Sequence, residues 1–547
     1  VGSVGGVKKS GAAAIGLSGG RPGHLPRQMS RLASLQAYLD KHPIRFNILV
    51  VIIFLPLVAG GTLLRPLVTA VVTRQGLVIS ATFVAIRIVA EWLANLYTFF
   101  WYVQTSAIAR LEGSGNWSAA GSFLILGSMA CLVLGLLTMG AMMVTATPLL
   151  NLFSPPSVDD KSLMASIGLT AQFVIAFFVP ARVCISNFSG VGLAQAGSSV
   201  FLIVANYLAI FVFLSGAIFI QIGIMNASGC ETEIEEAKAY AAELNGTVFD
   251  AETWVCSTAE SVLVNSALVE SVCEWLAAMA LCLLAFYVGK KRGYFAEHGF
   301  SLSRYATDND AKAVAKDALR SHAGVAVRSI LFNTMDMISP AISLGIGITE
   351  AAVFSFFTEI GLFSYSVPNL ISVGAMMLGP RLLGQGRVEE FRQLIHVHRA
   401  MAFIFAILFT AFAFLSSEIS IADEFTNKVD GELFAPLADS VYPVAIALQP
   451  FLALIGVYGP LLMACQGYAS WGILVGILFV VAYLPMTIAA AVLGDLNLLV
   501  YAQLVFAVLH FCGVYYLVHF RFLPELCKTA AQTSDVEDKD TKPNVTE

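Results

Sequence analysis

Charge is scarce in this chain. Only 12% of its 547 residues are Asp, Glu, Lys or Arg, against 57% hydrophobic ones. A water-soluble domain of this size carries about twice that charge, so a soluble fold is excluded. Recognisable enzyme motifs are also missing. No phosphate-binding loop, dinucleotide fingerprint or His-Glu-x-x-His motif occurs, and the cysteines have no zinc spacing. Gly16-Leu-Ser18-Gly-Gly20 fits a nucleophile elbow, but no strand precedes it and no helix follows, which the chemistry of that elbow requires. No basic stripe invites nucleic acid. The first 46 residues are polar, Gly-rich and basic, without the apolar core of a cleavable signal peptide.

What is present is a succession of long apolar runs. A helix needs roughly 20 apolar residues to cross a hydrocarbon core, and helices bond their own backbone groups where no water is at hand. Twelve such runs can be marked, near 47–70, 77–108, 120–151, 162–186, 198–224, 266–289, 322–346, 350–380, 397–420, 440–465, 470–493 and 497–520. The expected organisation is an N-terminal tail (1–46), a first six-helix bundle (47–289), a linker (290–321), a second bundle (322–520) and a disordered tail (521–547). Most of the 31 Lys and Arg fall in segments on one side of this arrangement, which the positive-inside rule makes cytoplasmic, with both termini inside. The long outer segment 225–265 is acidic and holds two glycosylation tripeptides, at Asn226 and Asn245, and two cysteines able to pair, Cys230 and Cys256. The inner segment 301–321 is read as a surface helix joining the bundles.

The second six runs repeat the first six. Arg110-Leu-Glu-Gly113-Ser-Gly115 returns as Arg381-Leu-Leu-Gly384-Gln-Gly386, 271 residues on, and Pro180 with the Gln195-Ala-Gly197 turn returns as Pro450 with Cys465-Gln-Gly467, 270 residues on. A six-helix unit starts and ends on one side, so the halves are parallel and related by a pseudo-twofold axis along the membrane normal. Halves of this kind enclose a site near the midplane and expose it to each side in turn.

The turn Ala109 to Gly121, its counterpart Gly379 to Phe391, and the Gln-Ala-Gly and Cys-Gln-Gly turns resemble the multidrug and toxic compound extrusion (MATE) family. The resemblance covers roughly 45–525 and extends to the wider multidrug, oligosaccharidyl-lipid and polysaccharide (MOP) exporter superfamily. Met337-Ile-Ser-Pro340 and Tyr442-Pro-Val-Ala are similar to the progressive ankylosis branch, whose members export small anions. The resemblance implies an all-α secondary transporter: an antiporter exporting an organic solute in exchange for H⁺ or Na⁺, with small-anion export and lipid-linked flipping as alternatives. It implies no enzyme, no organic cofactor and no resident metal. The expected partners are a small organic solute and the bilayer, the expected state is a monomer, and the expected location is the plasma membrane or an endomembrane. One departure from the family pattern stands out: no acid lies between Asn47 and Val71, where many members carry one.

Ionisable groups inside a membrane are costly and mark function. Asp336 leads. Pro340, four residues on, lacks the N–H that would bond the Asp336 carbonyl. Burial disfavours the charged carboxylate, so protonation there can alternate with cargo binding. The resemblance also implies an acid in this helix. Glu359, in the eighth run, is the second coupling candidate. Arg87 and Glu91, four apart, share a helix face and can pair. Arg182, placed at the inner end of the fourth run, and Arg328 either snorkel or face the cavity. Convergence of Arg65, Arg87, Arg182 and Arg328 on one cavity would mean an anionic cargo. Glu270 and Glu274 read as a polar helix end, and His510 as a structural or proton-relay histidine. Tyr97, Tyr365 and Gln449 complete the candidate lining.

Overall fold

The computed structural model describes residues 77–152, 161–197, 199–243, 256–296, 309–418, 431–465 and 467–526, together with 45, 68 and 71. The run at 47–70, including Arg65 and Pro66 but for Val68, lies outside the described residues, as do Asn245 and both far termini. Among the described residues there are helices and no strands. In chain order they are α1 (Leu77–Asn95), α2 (Phe99–Gly113), α3 (Trp117–Val144), α4 (Ala146–Leu152), α5 (Lys161–Ala176), α6 (Phe178–Ala196), α7 (Val200–Asn226), α8 (Cys230–Glu243) and α9 (Ala259–Lys291). The second half follows with α10 (Asn309–Ile346), α11 (Ile348–Ile371), α12 (Val373–Gly384), α13 (Val388–Glu418), α14 (Gly431–Ala464), α15 (Tyr468–Leu478), α16 (Leu484–Leu493) and α17 (Leu496–Tyr516). Ten helical stretches among the described residues are long and apolar enough to cross a bilayer. With the interrupted pair α1–α2 and the run at 47–70, this accords with twelve spans in an all-α membrane protein.

Two boundaries differ from the sequence reading. Residues 309–321 do not form a separate surface helix but begin α10, which runs unbroken to Ile346. Helix also continues past 520, because a widened π turn at Leu517–Phe522 carries the last span on to Leu526. In the outer segment, α8 is tied to the start of α9 by a Cys230–Cys256 disulfide, with Cα atoms 5.4 Å apart. Glu233 supports that tie by accepting hydrogen bonds from the Ser257 amide (3.0 Å) and hydroxyl (2.6 Å).

The repeated glycines explain how the halves meet. A Cβ on Gly113 would lie 2.6 Å from the Arg381 carbonyl oxygen, and one on Gly384 would lie 2.6 Å from that of Arg110. The two turns thus contact each other reciprocally, across the pseudo-twofold axis, at a distance only glycine permits. Around these turns α2 and α12 pack closely against each other. Gly113→Ala or Gly384→Ala is therefore expected to lower stability by about 1–3 kcal/mol through overpacking. Thermal melting in detergent checks this against Gly140→Ala, where a Cβ meets nothing within 4 Å.

Candidate functional site

In both halves the second span is interrupted. Between α1 and α2 the backbone tightens, with Tyr97, Thr98, Phe100 and Trp101 amides bonding three residues back, and no proline or glycine is present to cause it. The other half provides the reason. Asn333 on α10 donates to the Asn95 carbonyl at 2.7 Å, and Thr98 donates to Ser329 at 3.4 Å. Non-helical backbone at membrane depth survives only where protein or a wet cavity satisfies it, and here the opposite half does so.

Asp336 lies one turn beyond that junction. Its side chain is exposed. Val327 and Ile330 are the exposed apolar residues of the same helix, and at 100° per residue Asp336 points about 180° from Val327. Behind the carboxylate the kink at Pro340 is braced: the Tyr483 hydroxyl donates to the Met335 carbonyl (3.1 Å) and bonds the Ser339 hydroxyl (2.5 Å). Tyr483 itself sits in a π turn, Phe479–Tyr483.

Below Asp336, α10 carries Arg328, which is 3% exposed. Its guanidinium lies over Trp471 (4.4 Å), Phe332 (4.5 Å) and Tyr102 (5.5 Å), and Nη2 donates to the Tyr365 hydroxyl at 3.3 Å. Trp471 is oriented by its indole N–H, which donates to His510 Nε2 at 2.8 Å. His510 is thereby fixed as an acceptor in a structural chain leading to Arg328.

Of the other basic candidates, the two that are described, Arg87 and Arg182, do not converge here. Arg87 bonds Glu91 at 2.9 Å and Glu270 at 3.4 Å, and Arg182 bonds Glu274 at 2.8 Å. The helices are longer than the sequence runs suggested. Arg182 lies near the middle of the span Ser166–Ala196, and Glu270 and Glu274 lie well inside α9 instead of at its end. They are the counter-charges of the first bundle. Tyr97 bonds Thr138 at 2.6 Å within the same bundle. Gln449 is 1% exposed inside the second bundle and donates to the Ala445 carbonyl at 2.8 Å. Glu359 is carried by α11, and its side chain lies outside the described residues.

Arg182→Met would strand the Glu274 carboxylate, of which 2% is exposed, and breaking such a buried pair costs about 3–5 kcal/mol. The double variant Arg182→Met with Glu274→Leu is expected to recover most of that loss. Melting of the purified single and double variants measures it.

Sequence reasoning missed the closure at the Arg110 end. Glu112, with 1% of its side chain exposed, accepts from Arg292 Nη1 (2.6 and 2.7 Å), from the Tyr294 hydroxyl (2.6 Å) and from Arg381 of the other half. Arg381 also donates to the Ala194 carbonyl at 3.0 Å. Burial, and then the Glu112 carboxylate, push the Tyr294 phenol well above its ordinary range, so it remains a donor. Glu112 was visible only as a letter within the turn motif. Its repeat counterpart is Leu383, so nothing in the periodicity singled it out.

No family model matches the sequence, and no curated protein matches it. Solved structures do. The eukaryotic MATE transporter AtDTX14 superposes with a TM-score of 0.61 at 12% identity, over 89% of this chain and 99% of that one. A mutant of the Vibrio cholerae MATE transporter VcmN gives 0.56 at 12% identity, over 91% and 99%. A MOP superfamily transporter from Pyrococcus furiosus, described as having a binding pocket of reversed polarity that suggests a different function, gives 0.55 at 14% identity, over 88% and 96%. The architecture is thus the fold of these MATE transporters, the fold that the sequence resemblance implied. At these identities the likeness is one of fold.

Proposed function

We infer that this chain is a secondary active transporter: an alternating-access antiporter that exports an organic solute in exchange for H⁺ or Na⁺. The observation that carries the reading is an asymmetry in how the halves meet. At one end they are joined through Gly113 and Gly384 and locked by Glu112. Beyond the Asn95–Asn333 junction the halves meet mainly through α10, which touches α1, α2 and α3, and we read the exposure of Asp336 on α10 as the opening of a cleft between the halves. The Lys and Arg bias makes the locked end cytoplasmic, so the cleft faces outward. In that setting Asp336 can take a proton or Na⁺ from outside and carry it inward as the cleft closes, with Glu359 as a second carboxylate. Tyr365 joins Arg328 at the cleft floor, and Pro340 supplies the bend. The first bundle's pairs, Arg87 with Glu91 and Arg182 with Glu274, hold its helices as one rigid body.

Pocket polarity differs among transporters of this fold, as the description of the Pyrococcus furiosus protein indicates, so the cargo's charge has to be read from this chain's own residues. The test of the function is flux. Purified protein in proteoliposomes should move one of two cargoes, citrate or tetraethylammonium, against its concentration when a pH or Na⁺ gradient is imposed. Flux indifferent to both gradients would replace the antiporter with a facilitator or flippase.

A further inference from the structure

Arg328 differs from the other described mid-membrane arginines. Arg87 and Arg182 each rest on a carboxylate, whereas no carboxylate among the described residues lies within 4.0 Å of Arg328. Asp336 is eight residues along the same helix, about 12 Å of rise away. Three rings cover the faces of the guanidinium, but ring faces satisfy its charge and leave its five N–H groups, which lie in the plane at the edge. Only Nη2 has a hydrogen-bond partner, the long bond to Tyr365, and Nε is buried with none. Asp336 acts on this charge only over distance, a buried cation with no carboxylate bonded to it is costly, and a free guanidinium edge is the geometry that takes a carboxylate or phosphate through two parallel bonds.

We propose that Arg328 is the cargo anchor and that the cargo is an organic anion, bound through a carboxylate or phosphate group on the free edge of this guanidinium. The proposal rests on the alternating-access reading above and names its substrate class. The state described here hides the site. Tyr102 belongs to the first bundle, while Arg328, Phe332, Tyr365 and Trp471 belong to the second. When the halves part at the locked end, Tyr102 withdraws and the guanidinium edge is exposed to that side. The aromatic cage then holds the guanidinium plane fixed, so little side-chain freedom is lost when the anion docks. A cation would find the nearest fixed charge repulsive.

Equilibrium binding to the full chain in nanodiscs, with no gradient, tests this separately from coupling. The probes are citrate, inorganic phosphate and tetraethylammonium, which distinguish a carboxylate, a phosphate and a cationic cargo. One of the two anions is expected to bind. Arg328→Gln should weaken it roughly 30-fold or more, the effect of removing one partner of a buried charge pair. Arg328→Lys keeps the charge but loses the fork and should fall between, and it decides the matter if the Gln variant fails to assemble. Glu112→Gln, which frees the locked end, should tighten anion binding. The proposal is overturned if tetraethylammonium binds and neither anion does, or if anion binding is the same with Arg, Lys and Gln at 328. Arg328-dependent binding together with gradient-indifferent flux would instead remove the antiport reading and leave this site standing.

Discussion

Replacing Asp336 by Asn is expected to abolish gradient-driven accumulation while leaving exchange of cargo between the two sides intact. One proton per cargo across one unit of pH gradient supplies about 1.4 kcal/mol, which is tenfold accumulation. The Asn variant should fall from that ratio to about one, since an amide neither takes up nor releases the coupling ion. Asp336→Glu keeps a titrating group in the cleft and should retain part of the drive. The position of Asp336 is that of a carboxylate in mid-span, exposed on the face opposite Val327, beside Pro340 and a turn held by Tyr483. Steady-state accumulation in proteoliposomes measures the ratio, and full accumulation by the Asn variant would pass the coupling role to Glu359.

The second large effect is expected at the locked end. Among the described residues, Glu112 is the carboxylate that counters both Arg381 of the opposite half and Arg292. Glu112→Gln leaves two partly buried guanidinium groups without a counter-charge, a loss of about 3–5 kcal/mol from the closed arrangement. That is about two to four decades in a two-state equilibrium, enough to move the population toward the arrangement open at this end. Spin labels at Ser114 and Gln385, both exposed and on the two sides of the contact, should report a longer distance in the variant. A distance unchanged from the wild type would mean that the reciprocal glycine contact alone keeps this end shut. Transport should slow as well, because a cycle biased to one side waits longer on the return.

Periodicity and composition made most of the architecture legible. Apolar runs placed the spans, and the 271-residue offset of Arg110-Gly113 and Arg381-Gly384 marked as a repeat the two turns that the structure brings into reciprocal contact. Run ends were less legible. Runs placed at 162–186 and 266–289 put Arg182, Glu270 and Glu274 near span ends, yet Arg182 pairs with Glu274, and Glu270 with Arg87, inside longer helices. A lone charge in a run reads as an end until its partner on another helix is known. The break at Leu96–Thr98 left no local mark because its cause, Asn333, is supplied by the other half. The Glu112 lock escaped notice for the same reason, with donors 180 and 269 residues away. Asp336 could be singled out as a carboxylate in mid-span, whereas the aromatic cage around Arg328 needed three helices to be brought together.

The most direct test of the account is whether the two ends open in opposition. One spin-label pair, Ser114 with Gln385, spans the locked end, and a second, Ser261 with Leu493, spans the cleft end at exposed positions. Both distances should be measured in nanodiscs across pH and Na⁺ concentration. The account predicts anticorrelated populations: each condition that lengthens the first distance shortens the second, and Glu112→Gln drives both to the limit of that exchange. Distances that lengthen together, or a cleft end that stays open while the locked end opens, would contradict alternating access and describe a pore.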